Sequence, residues 1–163
     1  SSGSGSGGSG SGSGSGSSGS GDSGFRYEFP ASFGTYFGGF SPASFSVGLD
    51  LQAGLGLGFG DFGLSIMGEA SAGVGFMSGV SIEYRLGGMA ELYYDIFGLG
   101  IGYGTAGVIG LSGADAATPF LDGGFLRLAL IFYTDMIYNK FTIYADKFAD
   151  ESWGIGLIMS MSF

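Results

Sequence analysis

Eight charged side chains sit at alternating positions within otherwise apolar segments: Arg26, Glu28, Asp50, Glu69, Glu83, Arg85, Glu91 and Arg127. Guanidinium and carboxylate groups in that arrangement can pair, line a polar passage, or stabilise a confined interior. They are poorly suited to catalysis here, because the chain has no His and no Cys. Those two absences remove the commonest general base, the commonest metal ligand, the Ser-His arrangement and every thiolate site. Asp146, Asp150 and Glu151 lie close enough in sequence to collect a divalent cation such as calcium, or to be solvated charges at a turn. Gly54-Leu55-Gly56-Leu57-Gly58 and Gly98-Leu99-Gly100-Ile101-Gly102 resemble phosphate-cradling loops only superficially, since no helix follows either one. Gly102-Tyr103-Gly104 lacks the flanking spanning helices of a potassium filter. No catalytic, cofactor-binding or metal-ligating residue is assigned, and no cofactor is implied.

The elements that carry these charges announce themselves by a period of two. Between Ser44 and Gly60 the odd positions read Phe45, Val47, Leu49, Leu51, Ala53, Leu55, Leu57 and Phe59, while Gly, Ser, Asp50 and Gln52 fill the even ones. Such alternation sends one set of side chains to each face of a strand. The same pattern predicts strands near Phe25–Phe37, Phe62–Phe76, Val80–Tyr94, Phe97–Leu111, Phe120–Thr134, Ile137–Phe148 and Trp153–Phe163. Pro30 lacks a ladder donor and predicts an irregularity in the first strand. Gly38–Pro42, Gly60-Asp61, Met77-Ser78-Gly79, Asp95-Ile96, Ser112–Pro119 and Ala149–Ser152 read as connections. Eight antiparallel strands can close on themselves, so the predicted fold is all-β: an eight-stranded antiparallel transmembrane barrel. Every one of the eight charges falls on the small, polar face. Arg at mid-depth on a lipid face would cost roughly 2–4 kcal/mol, so the apolar face is expected outward.

Two soluble alternatives fit less well. A lipocalin-like barrel would enclose most of the sixteen Phe and expose Gly and Ser. A stacked fibre needs a short internal repeat, and none is found. Residues 1–21 contain only Ser and Gly, and 1–24 read as a flexible tail or linker, with the barrel in 25–163. The tail reads as a spacer, natural or introduced by cloning, or as a tether to a lipid anchor or to other envelope proteins. With no initiator Met and no signal segment at its start, the chain reads as a processed product. A net charge of −9 leaves no basic patch for nucleic acid.

Phe25–Phe163 resembles the small bacterial outer-membrane barrels of the class of the OmpA transmembrane domain, OmpX and OmpW. The closing strand, with Trp153, Met159, Met161 and the final Phe163, resembles the signal read by the barrel-assembly machinery. The resemblance implies outer-membrane lipids and that machinery as partners, periplasmic termini, and an assembly role for Phe163 larger than its role in the finished fold. It implies a non-enzymatic structural or anchoring component of the cell envelope. A narrow, weakly cation-preferring pore and a surface binding or adhesion module are the alternatives. In a plugged interior, Arg85 is expected to pair with Glu69 or Glu83.

Overall fold

The computed structural model describes residues 24–39, 45–77, 79–112, 123–149 and 151–163. The readings made for the Ser/Gly tail, for most of Gly38–Pro42, for nearly all of Ser112–Pro119 and for Asp150 lie outside those residues. The described residues form nine strands: β1 (Phe25–Glu28), β2 (Ala31–Gly39), β3 (Phe45–Phe59), β4 (Phe62–Met77), β5 (Gly79–Tyr94), β6 (Phe97–Ser112), β7 (Gly123–Tyr133), β8 (Lys140–Phe148) and β9 (Trp153–Ser162). Pro30 accounts for the ninth. It divides the first predicted strand into β1 and β2, yet both halves pair with β3 in one register, Glu28 opposite Gly56 and Ala31 opposite Ala53. They form a single stave. Every neighbouring pair is antiparallel, and β2 pairs with β9 to close an eight-stranded barrel.

The register fixes the shape of that barrel. Directly opposed residues run Tyr27, Leu57, Leu64, Leu92, Leu99, Leu130, Ile143 and Leu157, and then reach Phe37, ten positions beyond Tyr27 on the starting stave. Ten residues at ~3.3 Å, set against eight strand spacings of ~4.8 Å, give a tilt of about 41° and a backbone radius of about 8 Å. A path of opposed residues therefore climbs about 25 Å along the axis in one circuit. Two residues earlier, a parallel path links Phe25, Phe59, Phe62, Tyr94, Phe97, Phe132 and Phe141. Those aromatics mark the hairpin ends nearest the termini. They trace a rising spiral, with edge-on contacts such as Phe25–Phe59 at 4.9 Å and Phe97–Phe132 at 5.4 Å between ring centroids.

The outer face is apolar around the whole circumference: Leu51, Ile66, Leu86, Ile101, Leu128 and Ile155 are all more than half exposed. The inner face is the core. Its bulkiest buried side chains include Arg127, Tyr36, Tyr144, Lys140, Met67, Met89, Ile131 and Ile158. A radius of about 8 Å leaves room for these side chains only where their neighbours are small. Gly48 and Gly73 face each other across β3 and β4 and seat the Tyr36 ring. A Cβ on Gly73 would lie 2.3 Å from the Val47 carbonyl oxygen and 2.6 Å from Tyr36 Oη. Gly73→Ala is expected to destabilise the barrel by about 1–3 kcal/mol, because backbone as well as ring must shift. Urea unfolding in detergent will measure it, and an unchanged midpoint would contradict the tight seat.

Candidate functional site: the charged lumen

Five carboxylates among the described residues are buried inside the barrel, Asp50, Glu69, Glu83, Glu91 and Asp146, facing three buried cations, Arg85, Arg127 and Lys140. Asp50 lies on β3, Glu69 on β4, Glu83, Arg85 and Glu91 on β5, Arg127 on β7, and Lys140 and Asp146 on β8, each on the face that the alternation turns inward. Arg127 on β7 is the hub. Its Nε and Nη2 donate to Asp146 Oδ1 and Oδ2 at 2.7 and 2.9 Å, a two-point match of planar groups. Its Nη1 donates to Glu69. The guanidinium lies 4.2 Å from the Tyr144 ring centroid and 5.2 Å from that of Phe125. Arg127 on β7 and Asp146 on β8 are cross-strand partners, which explains their alignment.

Arg85 joins the same cluster from β5. Its Nη1 donates to Tyr144 Oη at 2.9 Å, its Nε lies 3.8 Å from Asp146 Oδ2, and Tyr36 and Tyr144 flank the guanidinium. The expected pairing with Glu69 or Glu83 gives way to this one. Glu69 is held by Arg127, and neither Glu83 oxygen accepts a hydrogen bond. Glu83 is near Arg85 on the same strand and Glu69 lies on the adjacent one, whereas closure brings β8 across the narrow lumen to β5. The two Asp50 oxygens and the Gln52 amide nitrogen are likewise without hydrogen-bond partners.

Nearer the termini, Lys140 forms a second centre. Its ammonium donates to Glu91 Oε1 at 2.5 Å and to Gln52 Oε1 at 3.0 Å, and Tyr133 Oη donates to Glu91 Oε2 at 3.2 Å. Between the two centres lie Met89, Ile131 and Ile158, packed with Tyr36 and Tyr144. Phe125, Phe148, Ala106 and Val108 close the far side.

Arg26 and Glu28 stand apart from this interior. They pair at 2.6 Å with side-chain exposures of 59% and 24%, and Glu28 accepts from Tyr93 Oη at the barrel mouth. Both lie on β1, at the end of the barrel that carries the Asp61 and Asp95 turns. Of the three acidic residues weighed as a cation site, Asp150 lies outside the described residues, and Asp146 and Glu151 do not come together. Asp146 is fully buried against Arg127, while Glu151 is exposed at a turn with φ of 67°. Lys140 and Asp146 are the members that the list of eight charges lacked, although both fall on the inward parity of Lys140, Thr142, Tyr144 and Asp146.

Chemically, the three cations pair with Asp146, Glu69 and Glu91 and fill space, while the Asp50 and Glu83 oxygens accept no hydrogen bond. Arg85, Arg127 and Lys140 are each engaged by carboxylates or rings. Comparison with protein-family models, with curated proteins and with solved structures returned no match.

Proposed function

We propose that this chain is a non-enzymatic integral outer-membrane barrel that serves as a structural or anchoring component of the cell envelope. Outer-membrane lipids are its surroundings, the barrel-assembly machinery inserts it, the termini face the periplasm, and other envelope proteins reach it through the N-terminal segment. The observation that carries the reading is the inversion of the usual protein: ion pairs and hydrogen bonds fill the inside, and the described outer face of the strands is apolar apart from Lys147 beside Trp153 at one rim. A monomer in water rarely exposes a contiguous apolar patch beyond a few hundred Å². On β9, Trp153 and Phe163 stand ten residues apart with Ile155, Leu157, Met159 and Met161 facing outward between them. At the tilt derived above that is about 25 Å along the axis, the height of the apolar band of outer-membrane barrels. The packed lumen favours an anchor over a pore, since Tyr36, Tyr144 and Arg127 occupy the space an ion would need.

Ile101 lies opposite Ala90 and Leu128 at mid-height on the outer face. Ile101→Arg is expected to lower folding stability in lipid vesicles by about 2–4 kcal/mol. In a lipid-free aqueous setting the same surface charge would be nearly neutral. Equal stability of variant and parent in vesicles would refute the membrane reading. Planar-bilayer recording addresses the anchor separately: steady currents from the unaltered protein would replace it with the pore.

A further inference from the structure

The buried charges of the lumen do not balance. Five carboxylates among the described residues face three cations there, Arg85, Arg127 and Lys140. The sequence has only five Lys and Arg, and the structure places the other two elsewhere. Arg26 pairs with Glu28 at the mouth, and Lys147 lies against Trp153 on the outer face. The three inner cations are held by Asp146, Glu69 and Glu91. Asp50 and Glu83 remain, each with both carboxylate oxygens buried and accepting no hydrogen bond. An ionised carboxylate enclosed in that way is strongly unfavourable, so each must gain a positive charge or a donor from solution.

The two differ in what surrounds them. Asp50 has donors at hand. The Ser71 hydroxyl directly opposite it on β4 and the Gln52 amide nitrogen on the same face of β3 are themselves without hydrogen-bond partners. Ordered water can join such groups. Around Glu83 the nearby hydroxyls offer only lone pairs. Ser46, Gly75 and Ser81 stand directly opposed across β3, β4 and β5. The Ser46 hydroxyl donates to the Gly38 carbonyl at 2.9 Å, and the Ser81 hydroxyl to the Gly75 carbonyl at 3.3 Å. A hydroxyl has one proton, so both present acceptors to the carboxylate. Gly75 makes the seat: a Cβ there would strike Glu83 Oε1 and lie 2.7 Å from Ser81 Oγ. Ser46 brings its oxygen to the same carboxylate from β3. Glu83 and Ser46 are 0% exposed and Ser81 2%. Arg85, on the same face of β5, turns its guanidinium to Tyr144 Oη and Asp146.

We propose that Glu83, Ser46 and Ser81 form an internal site for one monovalent cation, of which Na⁺ is the type. Carboxylate and hydroxyl oxygens are hard ligands and suit a hard cation. A single carboxylate, with the Arg85 guanidinium on the same strand face, balances one positive charge and not two. The site supplies the charge that the chain's own cations leave uncompensated, and it explains why a glycine stands opposite both serines. The proposal rests on the lumen alone and does not depend on the membrane reading.

The test is urea unfolding of the full chain in zwitterionic detergent micelles near neutral pH, with Na⁺ replaced stepwise by N-methylglucamine at constant ionic strength. A cation held by the folded barrel and not by the unfolded chain stabilises by mass action. Once the site fills, each tenfold rise in Na⁺ should lower the unfolding constant about tenfold. Glu83→Gln should abolish that dependence. Ser81→Ala keeps the carboxylate and should move the dependence to higher Na⁺, which tests the site even where Glu83→Gln misfolds. Asp50→Asn should leave the dependence in place. Equal unfolding in Na⁺ and N-methylglucamine, or an undiminished response to Na⁺ in Glu83→Gln, would overturn the proposal. So would a stability that falls with rising pH and ignores Na⁺, which would put a proton on Glu83 instead. Stabilisation by Ca²⁺ but not by Na⁺ would overturn the monovalent assignment.

Discussion

Arg127→Ala will lower the stability of the barrel by about 3–5 kcal/mol, the loss expected when one partner of a buried ion cluster is removed. The change deletes a two-point contact with Asp146 and the contact with Glu69, both deep in the lumen. Asp146 keeps Arg85 at 3.8 Å and Glu69 keeps no comparable cation, so the stranded charge is chiefly Glu69. The guanidinium also fills the gap between Tyr144 and Phe125, and that volume is lost with it. Arg127→Lys should recover part of the loss, because an ammonium restores charge without the planar fork. Urea unfolding from detergent or vesicles, with an unchanged slope against denaturant, is the measurement. A loss below about 1 kcal/mol would mean that the lumen is wet and its charges screened, as in exposed pairs.

Lys140→Met is the second large effect, expected in the lower part of the same 3–5 kcal/mol range, or about 3 kcal/mol. Glu91 would lose its 2.5 Å partner yet keep Tyr133 at 3.2 Å, which softens the loss. The informative measurement is the double variant. Lys140→Met with Glu91→Gln removes both charges and leaves no ion stranded, so most of the stability should return. Such coupling distinguishes a true pair from two independent contributions. Additive losses in the double variant would show that Lys140 acts through Gln52 or through packing on Met67 rather than through Glu91.

Strand number, strand parity and the inward placement of Asp50, Glu69, Glu83, Glu91 and Arg127 were legible, because a period of two depends only on neighbours along the chain. Parity leaves height undetermined. Which inward groups meet depends on the ten-residue stagger, and that is set by the β2–β9 register, a contact between chain ends that no local pattern encodes. For this reason Arg85 was assigned to Glu69 or Glu83, its near neighbours, and not to Tyr144 and Asp146 from β8. The start of the seventh strand differs too. The alternation predicts a strand from Ile137, but residues 134–139 form the turn, where Thr134 N–H bonds to the Asn139 carbonyl at 2.9 Å. The strand begins at Lys140, which shares the inward parity of Thr142, Tyr144 and Asp146. Arg26 and Glu28 share the inward parity, but they pair with each other at the mouth rather than in the packed lumen.

The seam between β2 and β9 also sets the order in which such a molecule can form. All other barrel neighbours are consecutive hairpins whose loops are short in sequence, and they can zip one after another. The seam joins residues as distant as Phe37 and Leu157. Closure entropy grows only slowly with length, but none of it is offset until the eight matched pairs of the seam form together. Until that moment the sheet has two free edges, and the ion cluster has no enclosed space in which to assemble. Arg127 and Asp146 can meet early across their shared hairpin, whereas Glu69 and Arg85 must wait for curvature. Folding of this chain is therefore a late, cooperative closure whose rate belongs to its topology, with the charges of the lumen acting as the latch.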